Sequence, residues 1–383
     1  QKYVAMLQDG IDGFWTDPEE PEEVPERALF SGMTEAQAHN YFNRAWSALI
    51  HDAVRKAFPR RRLFNLTRSG FTGSWQYGTS TWSGDVASTF AALRFHPGLG
   101  LSAGLSGLPF WGSDVGGFES RRQKPDRELF IRWMQFGAFT PVFRAHGANS
   151  PREPWTHDDT ATAIISRYIR LRYRLLPYIY ATAFQTRLAG QPMMRPLFFT
   201  HPADPQGWTL DDQYWFGDHL LVAPVLQRMA EAPGRSIHLP AGEWYDFHTW
   251  QRVPAGTRTV AVRLDDIPLY LRGGALVPQQ EGKDFVLLAV PAAGESRWTW
   301  YDDDGVSHDS EQGGYTALRM TLSAAGLQLE AIPPQLPGLI LRVPAACGVR
   351  PEGAVLREEA GRRWYEKRLV FRGTNHRIAF SRL

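Results

Sequence analysis

The first half of the chain alternates short apolar runs with longer helical patterns. Strand-length runs occur at 11–16, 62–66, 79–82, 108–111 and 141–144, with helical stretches between them. Apolar strands that alternate with helices are typical of a parallel α/β layer. A doubly wound sheet and a (β/α)8 barrel both have this pattern.

Two of the intervening stretches carry clear helix signals. Thr34 and Gln37 predict a capping box at the start of one helix, and apolar residues then recur at three- and four-residue spacing. A last helix is predicted over 160–188, with Asp159 as its N-cap and a kink at Pro177. Polar clusters follow several of the strand runs, at their C-terminal ends. Because barrel enzymes carry their chemistry there, this placement favours the C-terminal portion of a (β/α)8 TIM barrel.

Beyond the last helix the character of the sequence changes. Helical periodicity disappears, and short β-type runs are punctuated by Gly, Pro and Asp. This pattern predicts one or two β-sandwich domains, with a seam at Gly273–Gly274. The expected domains are a partial catalytic barrel over 1–195, a proximal β-sandwich over 196–276 and a distal one over 277–383.

Composition excludes several classes of function. The net charge of +2 argues against a nucleic-acid partner or an anionic membrane surface, and no apolar run approaches the roughly 20 residues of a spanning helix. The single cysteine, Cys347, excludes an internal disulfide and a thiolate metal cluster. Aromatic residues make up 13% of the chain, with 14 Trp, which fits either sugar-binding clefts or large cores. The compartment stays open.

Two aspartates stand beside aromatic residues at strand ends. Asp17 follows the first strand run, and Trp15, two positions earlier, projects the same way. Taken alone, Asp17 equally fits a solvated acidic loop. Asp85 follows Trp82 by three positions, with Gly84 between them to allow a close backbone approach. The alternative for Asp85 is a cap on a helix that starts nearby.

A third aspartate and a histidine follow the next two strand runs. Asp114 precedes a glycine pair that a simple turn also explains, and His146 follows Arg144. A lone histidine is more often structural than catalytic. Taken together, however, the four sites offer carboxylates beside aromatics, without a His/Cys metal cluster or a serine nucleophile elbow. Two carboxylates flanking a glycosidic bond are the usual arrangement of a glycosidase.

Several segments resemble the motifs of glycoside hydrolase family 31. Segment 13–20 resembles its nucleophile signature, and Arg68-Ser69 through Asp85 resembles its acid/base segment. Four further segments resemble other parts of this family: 112–118, 132–139, 143–147 and 212–225. The resemblance spans nearly the whole chain, with its motifs in the order of the family.

The resemblance implies a role for each candidate residue. Asp17 is expected to be the nucleophile, and Asp85 the general acid that later serves as base. The sugar-binding residues are expected to be Arg68, Asp114 and His146, which would bind hydroxyls, and Trp15, Trp82 and Phe118, which would form the wall of the site. The implied enzyme is a retaining α-glycosidase that needs no cofactor or metal and acts on the non-reducing end of an oligosaccharide or α-glucoside. α-Xylosidase, α-galactosidase and sulfoquinovosidase activities remain alternatives, as does α-glucan lyase, and a homo-oligomer remains possible.

The sequence departs from the family pattern in two places. Pro18 and Glu19 stand where the family usually has Met and a small residue, which leaves the sugar preference open. The nucleophile of the family follows its fourth barrel strand, whereas Asp17 lies near the start of this chain. We therefore expect a half-barrel that lacks the first strands and the sugar-binding aspartate that the family takes from its first strand. A catalytically incomplete carbohydrate-binding fragment is the alternative from another functional class.

Overall fold

A sheet of five parallel strands forms the first half of the molecule. The structure, a computed structural model, describes residues 1–383 apart from 18–23, 25–26, 29, 121–124, 233, 334–335, 337 and 372. Pro18, Glu19 and Glu20 of the predicted nucleophile loop therefore lie outside the described residues. The strands pair in chain order and are β1 (Gly13–Thr16), β2 (Phe64–Thr67), β3 (Thr79–Trp82), β4 (Trp111–Val115) and β5 (Val142–Ala145).

Helices accompany this sheet. They are α1 (Lys2–Gln8), α2 (Glu35–Ala57), α3 (Phe90–Leu105), α4 (Arg127–Gly137), α5 (Asp159–Arg174) and α6 (Leu176–Ala189). The capping box of α2 is present, since the Gln37 amide N–H donates to Thr34 Oγ1 and the Thr34 amide N–H to Gln37 Oε1. In the part of the chain that the structure describes, no helix combines the length and apolar character needed to cross a membrane.

The predicted last helix is two helices. α5 ends at Arg174 and α6 begins at Leu176, with Pro177 in its first turn, where a missing N–H costs no hydrogen bond. The N-cap of α5 is Asp158 and not Asp159, because the Asp158 carboxylate accepts from the Ala161 amide. The proline thus separates two helices, a larger effect than the kink predicted from the sequence.

The sheet is a partial half-barrel. Within the described residues, β1 pairs only with β2 and β5 only with β4, so the sheet has two free edges. Trp15 on β1 and Phe64 on β2 are about half exposed. The fourth strand runs three residues later than its predicted position of 108–111, which places Asp114 within β4 and not after it.

The region after α6 begins with antiparallel strands in two sheets. The strands are β6 (Met194–Arg195), β7 (Tyr214–Phe216), β8 (Leu220–Val222), β9 (Gly234–Leu239), β10 (Trp244–Asp246), β11 (Arg252–Val253), β12 (Gly256–Ala261) and β13 (Leu269–Arg272). Six of them form a sheet with the order β11-β10-β13-β8-β7-β6, and β9 pairs with β12.

Two five-stranded sheets complete the chain. The strands are β14 (Ala275–Glu281), β15 (Asp284–Val290), β16 (Ser296–Asp302), β17 (Thr316–Ser323), β18 (Gly326–Ile332), β19 (Leu339–Pro344), β20 (Val349–Pro351), β21 (Val355–Glu359), β22 (Arg362–Leu369) and β23 (Asn375–Arg382). The sheet orders are β14-β15-β19-β22-β21 and β16-β17-β18-β23-β20. The Gly273–Gly274 pair joins strands of different sheets, β13 and β14. The exact domain limits stay a prediction.

The largest hydrophobic core joins the later part of the half-barrel, from α3 onward, to the β-sheets, while α1, β1 and α2 pack in a smaller cluster of their own. Buried side chains form a continuous cluster from Leu93 on α3 to Ile378 on β23. Polar contacts reinforce this packing: buried Arg132 on α4 donates to the carbonyl oxygens of Leu264 and Asp266, at 3.3 and 2.8 Å. The β-sheets thus pack against helices of the half-barrel, with α6 against β14 and β16 and α3 against β6.

Candidate active site

Arg68 brings the two predicted catalytic carboxylates to one guanidinium group. Arg68 follows β2, and its Nη1 lies 3.1 Å from Asp17 Oδ1 and its Nη2 3.6 Å from Asp85 Oδ2. The side chains of Asp17 and Asp85 are 45% and 39% exposed, so both reach solvent. The loops after β1 and β3 therefore present two accessible carboxylates at the same end of the sheet.

Aromatic rings form one wall beside these carboxylates. Trp15 meets Trp82 edge to face at a centroid distance of 6.0 Å, and the His146 ring at 4.8 Å. Phe118 lies 5.5 Å from the His146 ring. Trp82 is buried whereas Trp15 is half exposed, so part of the Trp15 ring reaches solvent. Exposed aromatic rings are suited to contact with the apolar side of a sugar ring.

Asp114 forms a buried ion pair with Arg144. The two residues are direct partners in the register between β4 and β5, and Arg144 Nη2 contacts Asp114 Oδ1. The Arg144 guanidinium also lies over the rings of Trp15 and Trp82, at 4.9 and 5.2 Å from their centroids. Asp114 is fully buried, and its Oδ2 has no hydrogen-bond partner among the described residues. This oxygen is a buried acceptor beside the ion pair.

Burial dominates the electrostatics of the site. It raises the pKa of Asp114 to about 6, and the nearby charges of Asp85 and Asp17 act in the same direction, while Arg144 opposes them. Burial and the charge of Arg144 lower the pKa of His146, which keeps its ring neutral at neutral pH. A neutral imidazole has one donor and one acceptor nitrogen, so it can exchange hydrogen bonds with a hydroxyl in either direction.

Asp114 is therefore expected to make stability depend on pH. Its pKa is higher in the folded chain than its ordinary 3.8, so the folded state binds the proton more tightly. The stabilisation is complete below pH 4 and is lost as the pH rises through 6, with a size of at most about 3 kcal/mol. In urea unfolding, the stability of the wild type relative to Asp114→Asn should fall between pH 4 and pH 7. A pH-independent difference would contradict this expectation.

The loops that carry the candidate residues are joined by backbone hydrogen bonds. The Val86 carbonyl accepts from the amides of Phe118 and Glu119, at 2.7 and 3.0 Å, and the Phe118 carbonyl accepts from Ala148 at 2.9 Å. A Cβ atom on Gly117 would lie 2.4 Å from Ser88 Cα, so glycine is needed there for the close approach of two loops. The glycine pair after Asp114 is thus more than the simple turn that its sequence allows.

Gly84 has a different role from the one predicted for it. Its surroundings are open, since no atom would lie within 4 Å of an added Cβ. Its φ of +72° is the reason for glycine at this position. Asp85 also does not cap the following helix, because α3 begins at Phe90 and Thr89 caps it.

Two arginines of the site received no role from the sequence. Arg144 pairs with Asp114, and Arg152 donates from its Nε to the Gly117 carbonyl at 3.1 Å. For Arg144 a signal was available, because an arginine and an aspartate at the same level of adjacent parallel strands lie side by side. The contact of Arg152 with Gly117 depends on the conformation of the loop, and no local sequence pattern predicts it. Among the described residues, no three His, Cys, Asp or Glu side chains form a group that could hold a metal ion.

Comparison with known proteins identifies the family. Residues 1–182 match the Glycosyl hydrolases family 31 TIM-barrel domain, and residues 190–277 match the Glycosyl hydrolase family 31 C-terminal domain. The chain belongs to glycoside hydrolase family 31. An alpha-xylosidase of Saccharolobus solfataricus is 36% identical over 341 residues, which cover 83% of this chain and 46% of that protein.

Further relatives are similar to most of the chain. Alpha-glucosidase 2 of Bacillus thermoamyloliquefaciens is 32% identical over 84% of this chain and 42% of its own length. A Flavobacterium johnsoniae dextranase of family 31, solved with glucose, superposes with a TM-score of 0.87 at 28% identity over 98% of this chain and 53% of its own. A mutant of that dextranase was solved with isomaltotriose. The chain thus spans about half the length of these relatives.

Proposed function

We propose that the protein is a retaining α-glycosidase that removes the terminal sugar from the non-reducing end of an α-glucoside or a related glycoside. The observation that carries the proposal is the shared contact of Asp17 and Asp85 with Arg68, at 3.1 and 3.6 Å. A retaining mechanism needs two carboxyl groups about 5–5.5 Å apart across the scissile bond. The shared Arg68 contact supports this arrangement, because both carboxyl groups lie beside the same side chain.

In the proposed mechanism, Asp17 attacks the anomeric carbon while Asp85 transfers its proton to the glycosidic oxygen. The bond between the anomeric carbon and the glycosidic oxygen breaks, the alcohol leaves, and the sugar becomes esterified to Asp17. Asp85, now a carboxylate, takes a proton from water, which attacks the anomeric carbon and releases the sugar with its original configuration. Asp114 and His146 bind hydroxyls, and Trp15 contacts the apolar face of the ring.

The sugar preference is the finer part of the proposal. The xylosidase and glucosidase relatives differ in the sugar that their names state, and both are about equally similar to this chain. Pro18 and Glu19 directly follow Asp17 in the sequence and stand where the family usually has other residues. We propose α-glucosides as the main substrates, with α-xylosides as the alternative that the xylosidase relative favours.

The test is an assay of the purified protein on nitrophenyl α-glucoside, α-xyloside and α-galactoside. Proton NMR during the first minutes should detect the α-anomer of the released sugar before mutarotation. Asp17→Ala protein, purified in parallel, controls for contaminating glycosidases. Release of the β-anomer would refute retention, and sugar binding without turnover would favour the carbohydrate-binding alternative.

Metal removal is expected to leave the activity unchanged. Cleavage by two carboxylates needs no Lewis acid, because proton transfer and nucleophilic attack are both performed by side chains. Hydrolysis rates should therefore agree before and after dialysis against EDTA. A loss of activity that zinc or calcium restores would overturn this view.

A further inference from the structure

A buried histidine lies behind the loop that carries Asp85. His96 belongs to α3 and is 1% exposed. Its Nε2 lies 3.0 Å from Ser83 Oγ, and its Nδ1 lies 2.7 Å from the Ala92 carbonyl oxygen. Ser83 precedes Asp85 by two residues. The histidine thus contacts the proposed acid/base loop through Ser83.

The hydrogen-bond partners determine the tautomer of His96. A carbonyl oxygen only accepts, so the proton of the neutral ring must lie on Nδ1, and Nε2 then accepts the Ser83 hydroxyl proton. Burial lowers the pKa of His96 to about 4, so the ring stays neutral at neutral pH. The direction of both hydrogen bonds is therefore defined.

The His96 ring also contacts Trp133. Trp133 on α4 meets the His96 ring edge to face at 4.8 Å, and its Nε1 donates to Ser113 Oγ at 2.9 Å. Ser113 immediately precedes Asp114 on β4 and is buried, as is Trp133. The buried rings of His96 and Trp133 therefore contact Ser83, two residues before Asp85, and Ser113, directly before Asp114.

The two sides of the Asp85 loop are held differently. After Asp85, the Val86 carbonyl accepts from the amides of Phe118 and Glu119; before it, the Ser83 hydroxyl contacts His96. Gly84 separates Ser83 from Asp85, has a left-handed φ of +72° and has open surroundings. Asp85 itself is 39% exposed, and its ion-pair distance to Arg68 is a long 3.6 Å. On the side before Asp85, the Ser83 hydroxyl bond to His96 restrains the loop. A displacement of a catalytic group by about 1 Å can cost roughly 10²-fold in rate, so the loss of this bond is expected to be measurable.

We propose that His96 is a positioning residue for Asp85: its Nε2 anchors Ser83, and its contact with Trp133 ties the Asp85 loop to the strand that carries Asp114. The inference rests on the proposed function, in which Asp85 is the general acid. His96 does not touch the substrate and transfers no proton. It holds the loop so that the Asp85 carboxyl group reaches the glycosidic oxygen.

Three variants test this role. His96→Phe keeps an aromatic ring against Trp133 but removes the acceptor, whereas His96→Gln can place an amide oxygen near the position of Nε2. His96→Phe should lower kcat roughly 10- to 100-fold on a disaccharide, less on an activated aryl glycoside, with little change in KM. His96→Gln should restore most of the loss. Ser83→Ala should reproduce the pattern of His96→Phe, and the double variant should be no worse than either, because both remove the same hydrogen bond.

A spectroscopic measurement is independent of activity. Long-range nitrogen–proton NMR of the wild type should show His96 with its proton on Nδ1 at neutral pH. In Ser83→Ala the Nε2 resonance should shift, because its hydrogen bond is gone. A proton on Nε2 in the wild type would overturn the proposal.

Asp85→Asn serves as the reference variant for these rate measurements. If Asp85→Asn discriminates between poor and activated leaving groups but His96→Phe loses equally on both, the positioning role is refuted and the proposed function stands. If Asp85→Asn itself does not discriminate, the acid assignment fails, and the positioning role fails with it. Thermal melting of each variant verifies that the folded protein is being compared.

Discussion

Replacement of Asp17 by alanine is expected to lower turnover of an α-glycoside by roughly 10³-fold or more, because the covalent step loses its nucleophile. Folding should change little. The Asp17 side chain is 45% exposed and pairs with Arg68 at 3.1 Å, and a surface ion pair contributes only about 0–1 kcal/mol. Thermal melts and steady-state rates on a nitrophenyl glycoside would measure both effects.

Azide makes this test specific. In Asp17→Ala the small anion can occupy the space of the lost carboxylate and attack the anomeric carbon from the same face, so the product should be a β-glycosyl azide. Asp12→Ala is a matched control, since Asp12 directly precedes β1 at its other end and pairs with Arg61. Near-normal turnover of Asp17→Ala without azide would show that another group is the nucleophile.

The fold could be predicted from the sequence wherever local patterns determine it. The parallel strands and α2 follow from apolar runs and from a capping box, which are properties of neighbouring residues. Helix α1, over Lys2–Gln8, was missed because it is short, and its Leu7 is buried only by packing on Phe14 and α2. Strand β4 begins at Trp111, three residues later than the apolar run at 108–111 predicts. Its Gly112, Ser113 and Asp114 have low strand propensity, and only pairing with β3 and β5 makes them a strand.

For the candidate site, the sequence predicted the residues but not the contacts that hold them. Motif resemblance pointed to residues that the fold brings together, such as Asp17, Arg68 and Asp85, although their chemical roles remain proposals. The contacts that hold them could not be predicted, because each depends on distant segments. The Arg144–Asp114 pair requires the register of two strands, and the contact between Ser83 and His96 requires α3 to pack with one particular face inward.

Asp85→Asn is expected to affect substrates according to their leaving groups. A general acid contributes roughly 10²- to 10⁴-fold when the departing alcohol is a poor leaving group, and much less when the alcohol leaves unaided. Turnover of a disaccharide should therefore fall steeply, while the first step on a dinitrophenyl glycoside stays fast. Rates across a series of aryl glycosides would show a steeper dependence on leaving-group pKa than in the wild type. Equal losses on all substrates would indicate a structural role for Asp85.

Azide should act on Asp85 variants with the opposite stereochemistry. With Asp17 intact, the glycosyl-enzyme still forms from an activated substrate, but water is no longer deprotonated and the intermediate accumulates. Azide needs no general base, so it should release the sugar from the side of Asp85 as an α-glycosyl azide. Asp17→Ala should give the β-anomer under the same conditions. Because the two variants differ only in which carboxylate is removed, opposite anomers would place Asp17 and Asp85 on opposite faces of the sugar, and the same anomer from both would refute the pair of assignments.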